Sequence, residues 1–80
     1  MISVVQERAR RVVAEVLGLA LDDVSLETSY ATVEHWDSVA MINIAMAVES
    51  EFGVEIGIED ANRFDSMANI INVLREKGIQ

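Results

Sequence analysis

The sequence predicts an all-α domain of four helices, with a long loop between helices 1 and 2 and a short third helix. Three observations predict it. Apolar residues recur at helical spacing in three separate stretches, each of which opens on a residue able to cap a helix and closes on Gly18, Gly53 or Gly78. Between the first two lies a stretch with no sustained period. The chain, residues 1–80, is short enough to be one domain, and at this size only about 60–65% of the unfolded surface is buried, so a few helices must supply the core.

Helix 1 is expected from about Val4 to Leu17. Ser3 and Gln6 form a capping-box pattern, and Val5, Ala9, Val12, Val13, Val16 and Leu17 follow at helical spacing before Gly18. The many valines lower intrinsic helix propensity, so packing must hold this helix, and its arginines are expected off the apolar stripe. From Leu19 to His35 the chain sets Leu21, Val24, Leu26, Tyr30 and Val33 among turn and cap residues, the pattern of a loop pinned across the helices. Helix 2 follows within Trp36–Phe52 and ends at Gly53, after which Val54 and Ile56 return to the core. Ile58 to Phe64 reads as a short helix of about two turns. Asp65-Ser66 caps a last helix in which Met67, Ile70, Ile71 and Leu74 share a face, ending near Gly78.

Helix 2 is apolar on two sides. One ridge runs through Met41, Ala45, Val48 and Phe52 and, with its large Phe, has the stronger claim on the core; the other runs through Val39, Ile42 and Met46. A domain of this size can bury only one of them fully. The second ridge therefore needs a cover from elsewhere in the chain or a partner protein.

Fourteen acids against six bases give a formal charge of -8, and residues 22–65 hold eleven of the acids with one base, Arg63. Nucleic acid is excluded as a partner, because binding it needs Lys and Arg against phosphates; basic proteins suit this surface better, though it also serves solubility. Without Cys there is no disulfide framework and no thiolate nucleophile, and a single His rules out a multi-histidine metal site. No apolar run is long enough to span a bilayer and the first residues are too polar for a signal peptide, so no membrane role is expected and the setting is cytoplasmic.

Chemistry concentrates in residues 35–38. His35, Asp37 and Ser38 are the residue types of a hydrolytic triad, but neighbours at a helix start point apart and no glycine-rich elbow precedes the serine. Two readings remain open on spacing alone. Asp37 or Ser38 caps helix 2, or Ser38 accepts a phosphate-linked group where backbone N–H groups and the positive end of the helix dipole favour an anion.

Trp36-Asp37-Ser38-Val39, the helix after it, and Glu49-Ser50-Glu51-Phe52-Gly53-Val54-Glu55-Ile56 resemble the acyl carrier proteins, whose Asp-Ser-Leu motif bears 4'-phosphopantetheine. The resemblance spans essentially the whole chain, with Thr28-Ser29-Tyr30 similar to a Thr/Ser-aromatic loop anchor, and it implies an acyl-carrier-type four-helix bundle. It further implies that a phosphopantetheinyl transferase modifies Ser38 from coenzyme A, that Asp37 helps position the Mg²⁺ of that reaction, and that the chain is a monomeric carrier and not an enzyme. Its partners would be the transferase and acyl-loading and acyl-processing enzymes. Ile44, Phe64, Met67 and Ile71 would line an acyl-chain shelter, each being equally readable as plain core. Asp65-Ser66-Met67 is a second Asp-Ser-hydrophobic triplet, but the helix after it is short and lacks the Glu-x-Glu-Phe-Gly ending, so Ser66 is assigned a capping role.

The chain departs from the family pattern at several positions. Val39 replaces the usual Leu, Gly57 stands where Pro is common, and Ala40, Asn43 and Ser50 fall where fatty-acid-synthesis carriers have acids. Helix 2 is left with Glu49 and Glu51 as its acidic partner residues beside the Val39, Ile42, Met46 ridge. The expected function is thus a discrete carrier of acyl or related thioesters in an accessory or secondary-metabolic pathway. The alternative is an unmodified module of the same fold that docks a partner through the exposed ridge.

Overall fold

The computed structural model describes residues 3–79, and within them the fold is all-helical as expected. Helices α1 (Val4–Leu17), α2 (Ser38–Phe52), α3 (Ile58–Ala61) and α4 (Met67–Glu76) follow in order, with a single 3₁₀ turn at Leu21–Asp23. The Ser3 hydroxyl accepts the Gln6 N–H at 3.0 Å to start α1, and Gly18 ends it at φ 67, a conformation that costs a side-chain-bearing residue but not glycine. Gly53 closes α2 in the same way, with φ 64.

Helix α1 packs against both α2 and α4. The core between them takes Ala9, Val13 and Leu17 from α1, Ile44 and Val48 from α2, and Met67, Ile70, Val73 and Leu74 from α4, capped by Phe64. On α2 the buried line differs from the expected one. Ala40, Ile44, Ala45 and Val48 are buried, while Met41 and Phe52 are only half-buried at its margin. Phe52 has a different job: its ring lies under the Arg8 guanidinium, 4.4 Å from ring centroid to Cζ, a cation–π contact between α1 and α2.

The long loop is pinned, but by fewer apolar residues than expected. Val24 is buried and Leu21 and Val33 are half-buried, whereas Leu26 and Tyr30 are exposed. Polar bonds make up the difference. Arg10 donates to the Val24 carbonyl at 2.7 Å and the Leu21 carbonyl at 2.8 Å, so it lies against the loop half-buried instead of clear of the packed face. Thr28 is buried and accepts the Ser25 N–H on its hydroxyl at 2.8 Å, which makes it, and not Tyr30, the anchor of the triplet Thr28-Ser29-Tyr30. The loop backbone then meets the start of α4 in a lone antiparallel bridge, Ser29 with Ser66, where the Tyr30 N–H donates to the Asp65 carbonyl at 2.9 Å and the Met67 N–H to the Thr28 carbonyl at 3.0 Å. Trp36, given no place by periodicity, is 3% exposed, and its indole N–H donates to the Phe64 carbonyl at 2.8 Å.

The third helix is shorter than the expected Ile58–Phe64. After Ala61 the backbone tightens, with Arg63 N–H bonding Asp60 and Phe64 N–H bonding Ala61, three residues back in each case. That turn carries Phe64 into the core, where it is fully buried.

Among the described residues the bases are largely consumed by internal pairs. Arg8 binds Glu51, Arg10 and Arg11 bind Glu7, and Arg63 and Lys77 bind Asp60, with Arg63 also gripping both oxygens of Glu76 and holding that carboxyl below its ordinary range. The remaining acids therefore repel one another across residues 22–65. Monovalent or divalent salt is expected to raise the melting temperature, because screening relieves this repulsion more than it weakens the exposed pairs. A flat or falling melting temperature across a salt series would show that the repulsion is unimportant.

Candidate functional site

Asp37 and Ser38 divide the work at the start of α2. Asp37 has extended backbone and is the N-cap: its Oδ1 accepts the Ala40 N–H at 2.9 Å, while its carbonyl accepts the Met41 N–H at 2.9 Å. Ser38 is then the first helical residue, it is exposed, and no hydrogen bond among the described residues engages its hydroxyl. With the N–H groups of Ala40 and Met41 taken, those of Ser38 and Val39 remain as free donors at the positive end of a 15-residue helix. A phosphodiester on the Ser38 oxygen fits this donor set. The acid caps, and the hydroxyl is left without a hydrogen-bond partner among the described residues.

Ser66, the other candidate acceptor, is differently placed. Its hydroxyl accepts the Asn69 N–H at 3.1 Å as the N-cap of α4, the residue is half-buried, and its backbone is in the bridge to Ser29. A modified Ser66 would lose its cap and push a bulky anion against the loop. His35 takes no part at either serine. Its Nε2 lies 2.7 Å from the Leu17 carbonyl, so Nε2 carries the proton and the ring closes the end of α1, away from Ser38. The three residue types of a triad are present without its geometry.

Beside Ser38 is an open hollow of about 280 Å³, lined by Tyr30, Trp36, Asp37, Ser38, Met41 and Asp65. None of these six is basic. The loop contributes Tyr30, whose ring is largely exposed on a backbone fixed by its bond to Asp65.

The residues assigned to partners fall into two groups. Val39, Ile42 and Met46 are 65%, 56% and 62% exposed, an uncovered apolar ridge along α2. Ile58, at the start of α3, is more exposed still, and a helix of so few turns has too little periodicity in sequence to mark it as an outward residue. The acids are less available. Glu49 turns its Oε2 to the Ile56 N–H at 2.8 Å, holding the chain after α2, and Glu51 is paired with Arg8 at 2.7 Å. Ile44, Phe64, Met67 and Ile71 are all buried within the continuous core.

The family model for the phosphopantetheine attachment site matches residues 7–74, which includes most of α1, all of α2 and α3, the loops between the helices and most of α4. An acyl carrier protein of Petrotoga mobilis is 32% identical over 71 residues, covering 89% of this chain and 84% of that protein. An acyl carrier protein of Rickettsia bellii is 26% identical over 72 residues, covering 90% of this chain and 84% of that one.

Proposed function

Because the chain belongs to the phosphopantetheine attachment-site family, and so is a carrier bearing covalent 4'-phosphopantetheine and not a catalyst, we propose that Ser38 is the attachment residue and that the cargo is an acyl or related thioester of an accessory or secondary-metabolic pathway. The observation that carries the assignment is the contrast between a free, exposed Ser38 hydroxyl and a Ser66 hydroxyl already spent on a cap. The prosthetic group supplies the thiol that a Cys-free chain lacks. The chain's own residues do the rest: Asp37 fixes the helix start and offers its second oxygen to the Mg²⁺ of the transfer reaction, and Ser38 holds the attachment point clear of the fold.

The pathway reading rests on the surface of α2. Carriers of this family meet a phosphopantetheinyl transferase and acyl-handling enzymes, and here the face they would meet is Val39, Ile42 and Met46, with Glu49 and Glu51 committed to internal bonds. An enzyme that recognises its carrier through many basic residues finds few free carboxylates on this helix. Partners with an apolar docking patch fit better. No helix among the described residues is long and apolar enough to cross a membrane, and a monomer in the cytoplasm is the setting proposed.

The test is the intact mass of the protein after incubation with coenzyme A, Mg²⁺ and a transferase of broad specificity. A gain of one phosphopantetheine is expected. An unchanged mass would instead leave an unmodified carrier fold that serves as a docking module.

A further inference from the structure

We propose that the hollow between the long loop and α2 is a seat for the arm that Ser38 carries, with the Tyr30 ring as its principal contact; this rests on Ser38 being the attachment residue. Ser38 is itself one of the residues lining the hollow, so the chain joined to it enters without a detour. The uncharged part of the arm, with its geminal methyl groups, hydroxyl and two amides, matches what the hollow offers.

Tyr30 is the best evidence for an occupant. It is 61% exposed, yet its backbone is held by the bond to Asp65 and the adjoining bridge to α4. An aromatic ring on a fixed backbone loses little freedom on contact, which favours its use as a binding surface over its use as a mobile loop tip. Met41, half-buried beside it, adds an unbranched thioether that can adjust to an apolar group. The geminal methyl groups suit the space between these two side chains.

Charge sets the direction of the arm. Asp37 and Asp65 both line the hollow, so the phosphodiester is repelled from it and remains with the free N–H groups of Ser38 and Val39. The neutral amides and hydroxyl are the parts that can approach Asp65, whose Oδ1 already accepts from Asn69 at 2.8 Å and whose other oxygen can accept an N–H or O–H of the arm. Met41 and the Val39, Ile42, Met46 ridge occupy different sides of α2, since each residue turns the helix by about 100°. A seated arm thus leaves the apolar docking ridge uncovered.

The experiment compares apo and pantetheinylated protein by NMR, after intact mass has established the modification. An unchanged mass at that first step would overturn the attachment reading, separately from the seat. In the modified protein we expect amide shifts at Tyr30, Trp36, Met41 and Asp65, and nuclear Overhauser contacts from the geminal methyl protons to the Tyr30 ring and the Met41 methyl group. Tyr30→Ala should be modified to the same mass but lose these contacts and at least half of the shift at Asp65, whereas Tyr30→Phe should keep both. Shifts confined to residues 37–40, contacts to Ile42 or Ile58 instead, or loss of contacts in Tyr30→Phe would each overturn the proposal.

Discussion

Ser38→Ala is expected to abolish the coenzyme A-dependent mass increase completely while leaving the helical fold and its melting temperature nearly unchanged. The effect is all or none because the substituted atom is the acceptor itself. Little stability is at stake: Ser38 is exposed, its hydroxyl bonds nothing among the described residues, and alanine is the better helix former. The matching variant, Ser66→Ala, should show the opposite pattern. It removes the oxygen that accepts the Asn69 N–H, so it should cost about 1 kcal/mol of stability, as a lost N-cap does, and still accept the group in full. Mass spectrometry of proteolytic peptides decides between them, and an adduct on the peptide containing Ser66 would overturn the assignment.

The second large effect separates two isoleucines two positions apart on α2. Ile44 is 0% exposed and Ile42 is 56% exposed, so the same substitution should have unlike consequences. Ile44→Ala leaves a cavity in the core and should destabilise the fold by about 2–5 kcal/mol. At roughly 0.05–0.15 kcal/mol of stability per residue, that is a large share of what a domain of this size has to lose, so the unfolding midpoint of Ile44→Ala should fall steeply. Ile42→Ala should move stability by no more than about 0.5 kcal/mol. Its cost should appear on a partner instead. Burying one aliphatic side chain is worth roughly 1.5–3 kcal/mol, so Ile42→Ala or Met46→Ala should weaken a cognate enzyme or the transferase by about tenfold or more, chiefly through faster dissociation. Denaturant curves and both binding rates are the measurements. A core-sized loss of stability in Ile42→Ala would show that the ridge is buried and the docking face misassigned.

Glu49 and Glu51 alter what charge can contribute to such binding. In sequence they are two carboxylates on an acidic helix, available to a basic partner. In the structure one holds a backbone N–H and the other an arginine from the first helix. Removing either should disturb the local fold before it slows association, so the apolar residues give the cleaner test of docking.

The bounds of the three long helices were legible because they are written in local chemistry. Ser3, Asp37 and Ser66 each cap through a side chain, and Gly18 and Gly53 each end a helix with positive φ, so the marks and the elements coincide. The loop was not legible to the same degree. Its apolar residues suggested burial by composition, but whether Leu26 or Tyr30 is covered depends on which surfaces α1 and α4 bring near, and Arg10 and Thr28 took over the pinning through polar bonds that leave no periodic trace. The burial of Trp36 was not legible for the same reason: the residue lies just before α2, and its place is fixed by the Phe64 carbonyl, distant in sequence. At the candidate site the residue types were visible, but the division of roles between Asp37 and Ser38 needed the helix start to be placed to the residue.

The bridge between Ser29 and Ser66 has a consequence for how the molecule opens. A helix closes its bonds among near neighbours, whereas this bridge joins two points separated by the whole of α2 and α3, and neither of its hydrogen bonds can form until that chain has folded back. The packing of α1 on α4 closes a longer loop still but buries many apolar side chains, whereas the loop before α2 is held by Val24, Thr28 and a few polar bonds, so the bridge should release before the helices part. Hydrogen exchange would register this as faster opening at the amides of Tyr30 and Met67 than in the middle of α1. Such openings are rare and slow, so the wall beside the serine would keep Tyr30 in place between them while the three long helices stay together throughout.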